Sequence, residues 1–185
     1  MIIHFFKGEN MIEKQIKRTE IYKGKVVHLV CDDIVLENGN EAKREVVMHN
    51  GGVAIALKDE DGKYFLVKQY RYALGKEMLE VCAGKLELNE SPDDAIIREC
   101  EEELGYEVNN LVSLGQVIPT CGYCNEIIYL YHGEKGKYVG QHFDVDENLN
   151  VIKLSLDEIK EKIMSGEIDD SKTISLAYKI EKAGL

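Results

Sequence analysis

The segment GKLELNESPDDAIIRECEEELGY, residues 84–106, carries the strongest structural pattern of the sequence. Ser91 followed by Pro92 is typical of a helix N-terminus, because the Ser side chain can accept a backbone N–H and Pro is tolerated in the first turn. Gly105 predicts the end of the helix. The apolar residues at helical spacing predict the stripe that faces the core, and they are Ile96, Ile97, Cys100 and Leu104.

The same segment is strongly acidic, with four carboxylates in residues 99–103. Glu99, Glu102 and Glu103 stand at positions i, i+3 and i+4, so the predicted helix places them on one face, where like charges are destabilising. A divalent cation would offset this repulsion, and clustered carboxylate oxygens suit Mg²⁺ or Mn²⁺. The helix alone leaves a second interpretation open, an acidic face in contact with solvent.

Strands predominate on either side of this segment, and helices close the chain. Asn38 and Gly39 predict a hairpin turn. The predicted strands are residues 25–36, 45–48, 53–57, 64–69, 111–118 and 127–131, and the predicted helices after residues 84–106 are residues 155–164 and 170–182. The Gly-rich acidic connection 133–150 shows no pattern of either kind. This order predicts a sheet covered by helices, an α/β or α+β sandwich.

The composition excludes several classes of protein. The chain has 185 residues, 44% hydrophobic and 31% charged, as expected for a globular protein with a sizeable core. A net charge of -11 disfavours nucleic acid and anionic membranes as partners. No window approaches the ~20 apolar residues that span a bilayer. Five Cys, an odd number, favour reduced thiols, so we expect a cytoplasmic protein.

The first ten residues are unlike the rest of the chain. Residues 7–10 can be encoded by a purine-rich run resembling a bacterial ribosome-binding site, just before Met11. We expect Met11 to be the natural start and residues 1–10 to be a non-native or disordered extension. An intact mass of the native protein that included Met1 would contradict this expectation.

Residues 84–106 also carry a family resemblance. Its fixed positions have the spacing of the complete Nudix box, and they are Gly84, Glu90, Arg98, Glu99, Glu102, Glu103 and Gly105. The chain therefore resembles Nudix hydrolases. From about residue 16 to residue 185 it is most similar to the ADP-ribose pyrophosphatase branch, although Asn50, Cys82 and Cys121 stand where that branch usually has Pro.

This resemblance implies a fold and an activity. The fold is a Nudix-type α/β/α sandwich with a mixed sheet, plus a small N-terminal antiparallel sheet. The activity is metal-dependent hydrolysis of the pyrophosphate bond of ADP-ribose, to AMP and ribose 5-phosphate, or of a related nucleoside diphosphate sugar. Other nucleoside diphosphate derivatives or dinucleotides remain an alternative. So does a non-catalytic module that senses ADP-ribose or an NAD-related ligand.

The resemblance also implies domains and a metal site. Residues 11–49 would form a β subdomain for dimerisation, and residues 50–185 the hydrolase domain of a homodimer. Mg²⁺ or Mn²⁺ would be bound by the carbonyl of Ala83 and by Glu99, Glu102 and Glu103. Arg98, grouped with the catalytic residues of the box, would pair with Glu90 and hold loop and helix together.

Further residues take expected roles from the same resemblance. Glu126 would be the general base, with competitors in the acidic loop, namely Asp144, Asp146 and Glu147. Substrate contacts are expected from Arg71, Arg44, Glu80 and Tyr22. A guanidinium suits phosphate and ribose groups, but a salt bridge is the alternative for both Arg residues. Tyr22 would stack on the adenine, in the same subunit or from its partner, or it is an ordinary half-buried aromatic.

The sequence also contains a CxxC pair, Cys121 and Cys124. A structural zinc site needs four ligands, and there is no second CxxC or paired His motif, so we predict no zinc site. Cys82 and Cys121 would both border the expected active site, so we expect that oxidation could affect activity.

Overall fold

The structure is a computed structural model that describes residues 12–142 and 149–185. Its strands are β1 Glu13–Lys23, β2 His28–Leu36, β3 Glu41–Met48, β4 Gly52–Lys58, β5 Tyr64–Arg71, β6 Lys76–Glu80, β7 Cys82–Lys85, β8 Tyr106–Val117, β9 Ile128–Tyr138 and β10 Leu149–Leu154. Its helices are α1 Pro92–Glu99, α2 Leu156–Ser165 and α3 Ser171–Ala183. A π-helical turn, Cys100–Leu104, continues α1. The expected extension 1–10 and the acidic-loop competitors for the general base lie outside the described residues.

The chain divides into two units, of which the first comprises residues up to 50 together with 120–126. Its sheet is antiparallel, in the order β1-β2-β3, and the predicted hairpin turn joins β2 to β3, with Gly39 at a φ of +82°. Residues 120–126 join this unit through a bridge between Val47 and Cys124. The sequence interpretation did not include β1, because its residues are charged or exposed along the whole strand.

The second unit, residues 51–119 and 127–185, contains a mixed seven-stranded sheet. The order is β10-β5-β4-β9-β8, with β6 beside β5 and β7 beside β4, and only β4 and β9 are parallel. Side chains of β4 alternate between two cores. Val53, Ile55 and Leu57 pack in the core that includes α1, while Ala54 and Ala56 pack with α2 and α3. This confirms the expected α/β/α sandwich.

The core stripe of α1 differs from the prediction at one residue. Ile96, Cys100 and Leu104 are buried as expected. Ile97 is 37% exposed, because one step along a helix turns the side chain about 100° away from its neighbour. The apolar character of Ile97 therefore does not place it in the core.

The connection 133–150 contains regular structure that the sequence did not reveal. β9 continues to Tyr138, and β10 begins at Leu149. Two of its three glycines, Gly133 and Gly136, are in β9, at positions where neighbouring atoms leave no room for a side chain. A Cβ at Gly133 would lie 2.6 Å from Val108 Cγ1, and one at Gly136 would lie 2.9 Å from the Glu107 carbonyl oxygen. Close strand approach is a common reason for Gly within a sheet.

The closing helices begin and end as predicted. The Ser155 side chain accepts the Glu158 N–H while the Glu158 carboxylate accepts the Ser155 N–H, which is the expected capping box. Asp170 caps α3 by accepting the Thr173 N–H. Across residues 12–142 and 149–185, no helix is long and apolar enough to cross a bilayer.

Candidate active site

The helix that carries the box is capped at both ends. Ser91 accepts the Asp94 N–H at 3.1 Å, and Gly105 ends the π-helical turn at a φ of +77°. The pairing changes from i−4 to i−5 in this turn, since the Gly105 N–H bonds to the Cys100 carbonyl. π-helical turns inside helices are frequent at functional sites, and this one contains three of the four clustered carboxylates.

β7 lies directly against the carboxylates of the box. A Cβ at Gly84 would lie 1.8 Å from the Glu99 carboxyl carbon, so any larger residue there would displace the Glu99 carboxylate. The buried Glu103 carboxylate, 4% exposed as a residue, accepts a long 3.4 Å hydrogen bond from the Ala83 N–H. The backbone of β7 and two of the expected metal ligands are therefore in contact.

Arg98 organises the other side of the cluster. Its guanidinium donates twice to Glu90, at 2.8 and 3.0 Å, and its Nη1 donates to Glu99 at 2.8 Å and to Glu102 at 2.9 Å. The expected pair with Glu90 is present, and it raises the pKa of Arg98 and lowers that of Glu90. A further bond to the Lys85 carbonyl ties Arg98 to the loop.

The cluster brings several carboxylates close to one cation. Glu90, Glu99 and Glu102 share the Arg98 guanidinium, and Glu103 lies against β7. Their oxygens and the Ala83 carbonyl are the hard donors that Mg²⁺ and Mn²⁺ prefer. In the described part of the chain, however, no three His, Cys, Asp or Glu side chains converge as a metal site. Arg98 Nη1 bonds to one oxygen of each neighbour, Oε1 of Glu99 and Oε2 of Glu102, and so holds these two carboxylates side by side.

The expected substrate contacts Arg71 and Glu80 form one ion pair in the second unit. Arg71 Nε and Nη2 donate to the two oxygens of Glu80, at 2.7 and 2.8 Å. Glu80 is only 2% exposed, whereas the Arg71 side chain is 40% exposed. Lys172 also contacts Glu80, and the sequence did not predict a role for Lys172. Its position 92 residues away in the chain explains why spacing could not reveal the contact.

The other expected substrate residues lie in the first unit. Arg44 forms a bidentate ion pair with Glu13 at the exposed strand surface, the arrangement that had been left open as its alternative. Tyr22 is 60% exposed, and its ring covers Gly24. The proposed base Glu126 lies 3.6 Å from His49 Nδ1, and the His49 N–H donates to Asn125.

The cysteines are all free thiols. Cys82 and Cys100 are buried with their sulfurs 4.0 Å apart, and Cys121 is exposed. The contact with Cys100 and burial raise the pKa of Cys82 well above its ordinary value. Cys82 is therefore protonated and shielded, which makes it a poor target for oxidants.

Comparison with known proteins agrees with this geometry. The NUDIX domain family model matches residues 48–175. The chain is 41% identical to the methanol dehydrogenase activator of Bacillus methanolicus, over 90% of this chain and 91% of that protein. It is 34% identical to the ADP-ribose pyrophosphatase of Bacillus subtilis, over 94% and 93%. For the GDP-mannose pyrophosphatase of Yersinia enterocolitica the identity is 33%, over 86% and 89%.

A solved structure described as an ADP compounds hydrolase superposes with a TM-score of 0.81, covering 93% of this chain and 94% of that one at 16% identity. That likeness concerns the fold alone. The chain belongs to the Nudix family and is a Nudix hydrolase. The similarity to the ADP-ribose pyrophosphatase branch, expected from the sequence, is also confirmed.

Proposed function

We propose that this Nudix hydrolase cleaves the pyrophosphate bond of ADP-ribose, giving AMP and ribose 5-phosphate, with Mg²⁺ or Mn²⁺ as cofactor. The observation that carries the proposal is the packing of the Glu99 and Glu103 carboxylates against β7, next to Glu102, which shares Arg98 with Glu99. The relative from Bacillus subtilis, an ADP-ribose pyrophosphatase, supports the choice of substrate.

Each residue of the box has a proposed task. Glu99, Glu102, Glu103 and the Ala83 carbonyl hold the divalent ion, which when bound supplies positive charge against the pyrophosphate oxygens. Arg98 orients Glu99 and Glu102 and ties α1 to the preceding loop. Gly84 keeps the space beside the carboxylates open.

Residues outside the box also have proposed tasks. Arg71, held by Glu80, binds a phosphate through its exposed side, and Arg44 and Tyr22 contribute to ribose and adenine binding. A guanidinium is suited to phosphate because its N–H groups form paired hydrogen bonds.

Glu126 accepts the proton of the attacking water. Glu126→Gln is then expected to lower kcat by roughly a hundredfold or more, with little change in KM. A change confined to KM would assign Glu126 to binding.

We further propose a cytoplasmic homodimer, in which residues 11–49 form the dimerisation subdomain and residues 50–185 the hydrolase domain. Five free thiols in the described chain are consistent with a reducing compartment. Light scattering at working concentration tests the dimer, and a mass of one chain would contradict it.

The deciding experiment is a product assay with Mg²⁺ over ADP-ribose, GDP-mannose, ADP-glucose, NADH and diadenosine polyphosphates, with EDTA as control. We expect metal-dependent release of AMP, with ADP-ribose preferred. Preference for GDP-mannose would move the assignment to another nucleoside diphosphate sugar, an outcome made plausible by the relative from Yersinia enterocolitica.

A second candidate function is regulation of a partner enzyme. The observation that favours it is the 41% identity to a methanol dehydrogenase activator. In that case the chain would act on another protein, either through hydrolysis of a nucleotide or as a sensor of one. Tight binding of ADP-ribose without turnover, measured by calorimetry, would support the sensor form and contradict the hydrolytic proposal.

A further inference from the structure

A second charged cluster lies beneath Arg71, and it connects the strand that carries Arg71 to the last helix. Glu80, at the end of β6, accepts hydrogen bonds from Arg71 and, at 3.0 Å, from Lys172 Nζ. Lys172 also donates to Asp170 at 2.6 Å. Asp170 and Lys172 stand at the start of α3.

This cluster is also bonded to the backbone that leads to β7. Asp170 accepts hydrogen bonds from the Thr173 N–H and hydroxyl, at 2.9 and 2.7 Å. The Thr173 hydroxyl oxygen in turn accepts the Val81 N–H at 3.0 Å. Val81 is the single residue between β6 and β7. The start of α3 therefore contacts both the Glu80 side chain and the strand that leads to Ala83.

The charges of this cluster balance, in contrast to the box. Arg71 and Lys172 carry two positive charges, and Glu80 and Asp170 carry two negative charges. The carboxylates are 2% and 8% exposed as residues, and the Lys172 side chain is 14% exposed. Burial pulls the pKa of Lys172 down, but Asp170 and Glu80 outweigh it and the pKa is raised. Lys172 is therefore charged at neutral pH.

The position of the Glu80 carboxylate determines the orientation of the Arg71 guanidinium. Glu80 binds the Nε and Nη2 edge of the guanidinium, and the Arg71 side chain is 40% exposed, so an anion can still reach it. The hydrogen bonds that Arg71 donates to Glu80 raise the pKa of Arg71, and the charge of Glu103 in the box contributes as well. Arg71 is thus electrostatically linked to a proposed metal ligand.

We propose that Lys172 is a positioning residue for substrate binding: it holds Glu80 in place, and Glu80 holds the Arg71 guanidinium with one edge directed outward. This inference rests on the proposed role of Arg71 in binding the substrate phosphate. Without Lys172, two buried carboxylates would share one guanidinium. Arg71 would then be drawn inward, because an uncompensated buried charge is costly.

The test compares Lys172→Met with a matched control, Lys160→Met. Lys160 also bridges two carboxylates, Asp157 at 3.0 Å and Glu181 at 2.8 Å, but on the outer surface of α2 and α3. With ADP-ribose as substrate, K172M is expected to raise KM roughly tenfold and to change kcat by no more than about twofold. K160M is expected to leave both constants unchanged.

A double mutant separates positioning from general stability. If Lys172 acts through Arg71, K172M adds nothing to the rise in KM already caused by Arg71→Ala. Additive effects on KM, or an Arg71→Ala variant with the KM of the wild type, would overturn the proposal. Lys172→Arg keeps the charge and is expected to restore KM to within about threefold of the wild-type value.

An NMR measurement keeps this inference distinct from the proposed function. The Arg71 Nε–H resonance, assigned with Arg71→Lys, is expected to exchange slowly in the wild type because Glu80 accepts its proton. Exchange should become roughly tenfold faster in K172M and stay unchanged in K160M. Fast exchange in the wild type overturns the inference even if K172M does not fold. If the wild type releases no AMP from ADP-ribose, the proposed function fails. The NMR comparison of the wild type with K172M then tests the positioning role on its own.

Discussion

The turn between β4 and β5 and the Nudix box both gather charged side chains, but their carboxylates are bound differently. In the turn, the buried Asp59 is bound by two ammonium groups, those of Lys135 and Lys153. The same two lysines also contact Glu60 and Asp61. In the box, the single guanidinium of Arg98 is shared by Glu90, Glu99 and Glu102. A carboxylate bound by two cations thus contrasts with carboxylates that share one, and mutations in both clusters test that distinction.

The largest effect is expected for Glu102→Gln, which removes charge from the proposed metal site. Turnover should fall roughly a thousandfold, while the thermal midpoint stays the same or rises, because repulsion within the box is relieved. Activity and calorimetry on the same preparation check this. The neighbouring Glu101→Gln makes the same chemical change outside the ligand set and should retain most activity. Near wild-type turnover by E102Q would remove the proposed metal site.

Gly84→Ala should have the next largest effect. The added Cβ would meet the Glu99 carboxylate, so Glu99 must move, and kcat/KM is expected to fall roughly a hundredfold. Gly122→Ala is the control, because nothing lies within 4 Å of a Cβ at Gly122 and its φ is not positive. Equal activity of G84A and G122A would show that Glu99 is not needed where the structure places it.

Asp59→Asn should lower the free energy of unfolding and leave turnover unchanged. It weakens the bonds to Lys135 and Lys153 and should cost about 2 kcal/mol of unfolding free energy. The lysines lower the pKa of Asp59, so its contribution is present at neutral pH and is lost as pH falls through the folded-state pKa. Glu60→Gln in the same turn, with an 87% exposed side chain, is the control. A loss of turnover in D59N would break the distinction between the clusters.

The smallest effect is expected from His132, a buried residue of β9. Its Nε2 has no hydrogen-bond partner within the described chain. Burial lowers its pKa, helped by the charge of Lys58 and opposed by Glu134. His132 therefore binds a proton near pH 6.5 in the unfolded state but not in the folded state. The free energy of unfolding should decline as pH falls below that value. Urea unfolding between pH 7.5 and 5.5 measures this, and His132→Gln should flatten the curve.

Local sequence features predicted the helices well. The ends of α1, α2 and α3 follow from capping side chains and glycines that act within a few residues, so spacing is sufficient to locate them. The strands were less predictable. β1 has no buried face in the described chain, and the glycines of β9 suggested a loop. In both cases the strand depends on its neighbours, which a single segment does not reveal.

The amino-acid sequence by itself determined the box helix, its carboxylates and the family, because these depend on residue types at fixed short spacings. Only the tertiary structure decided which charges are balanced. It brought Lys172 to Glu80 across 92 positions and placed two lysines on Asp59. The physical reason is that charge balance depends on distance in space and on burial, and both arise only when distant segments pack together.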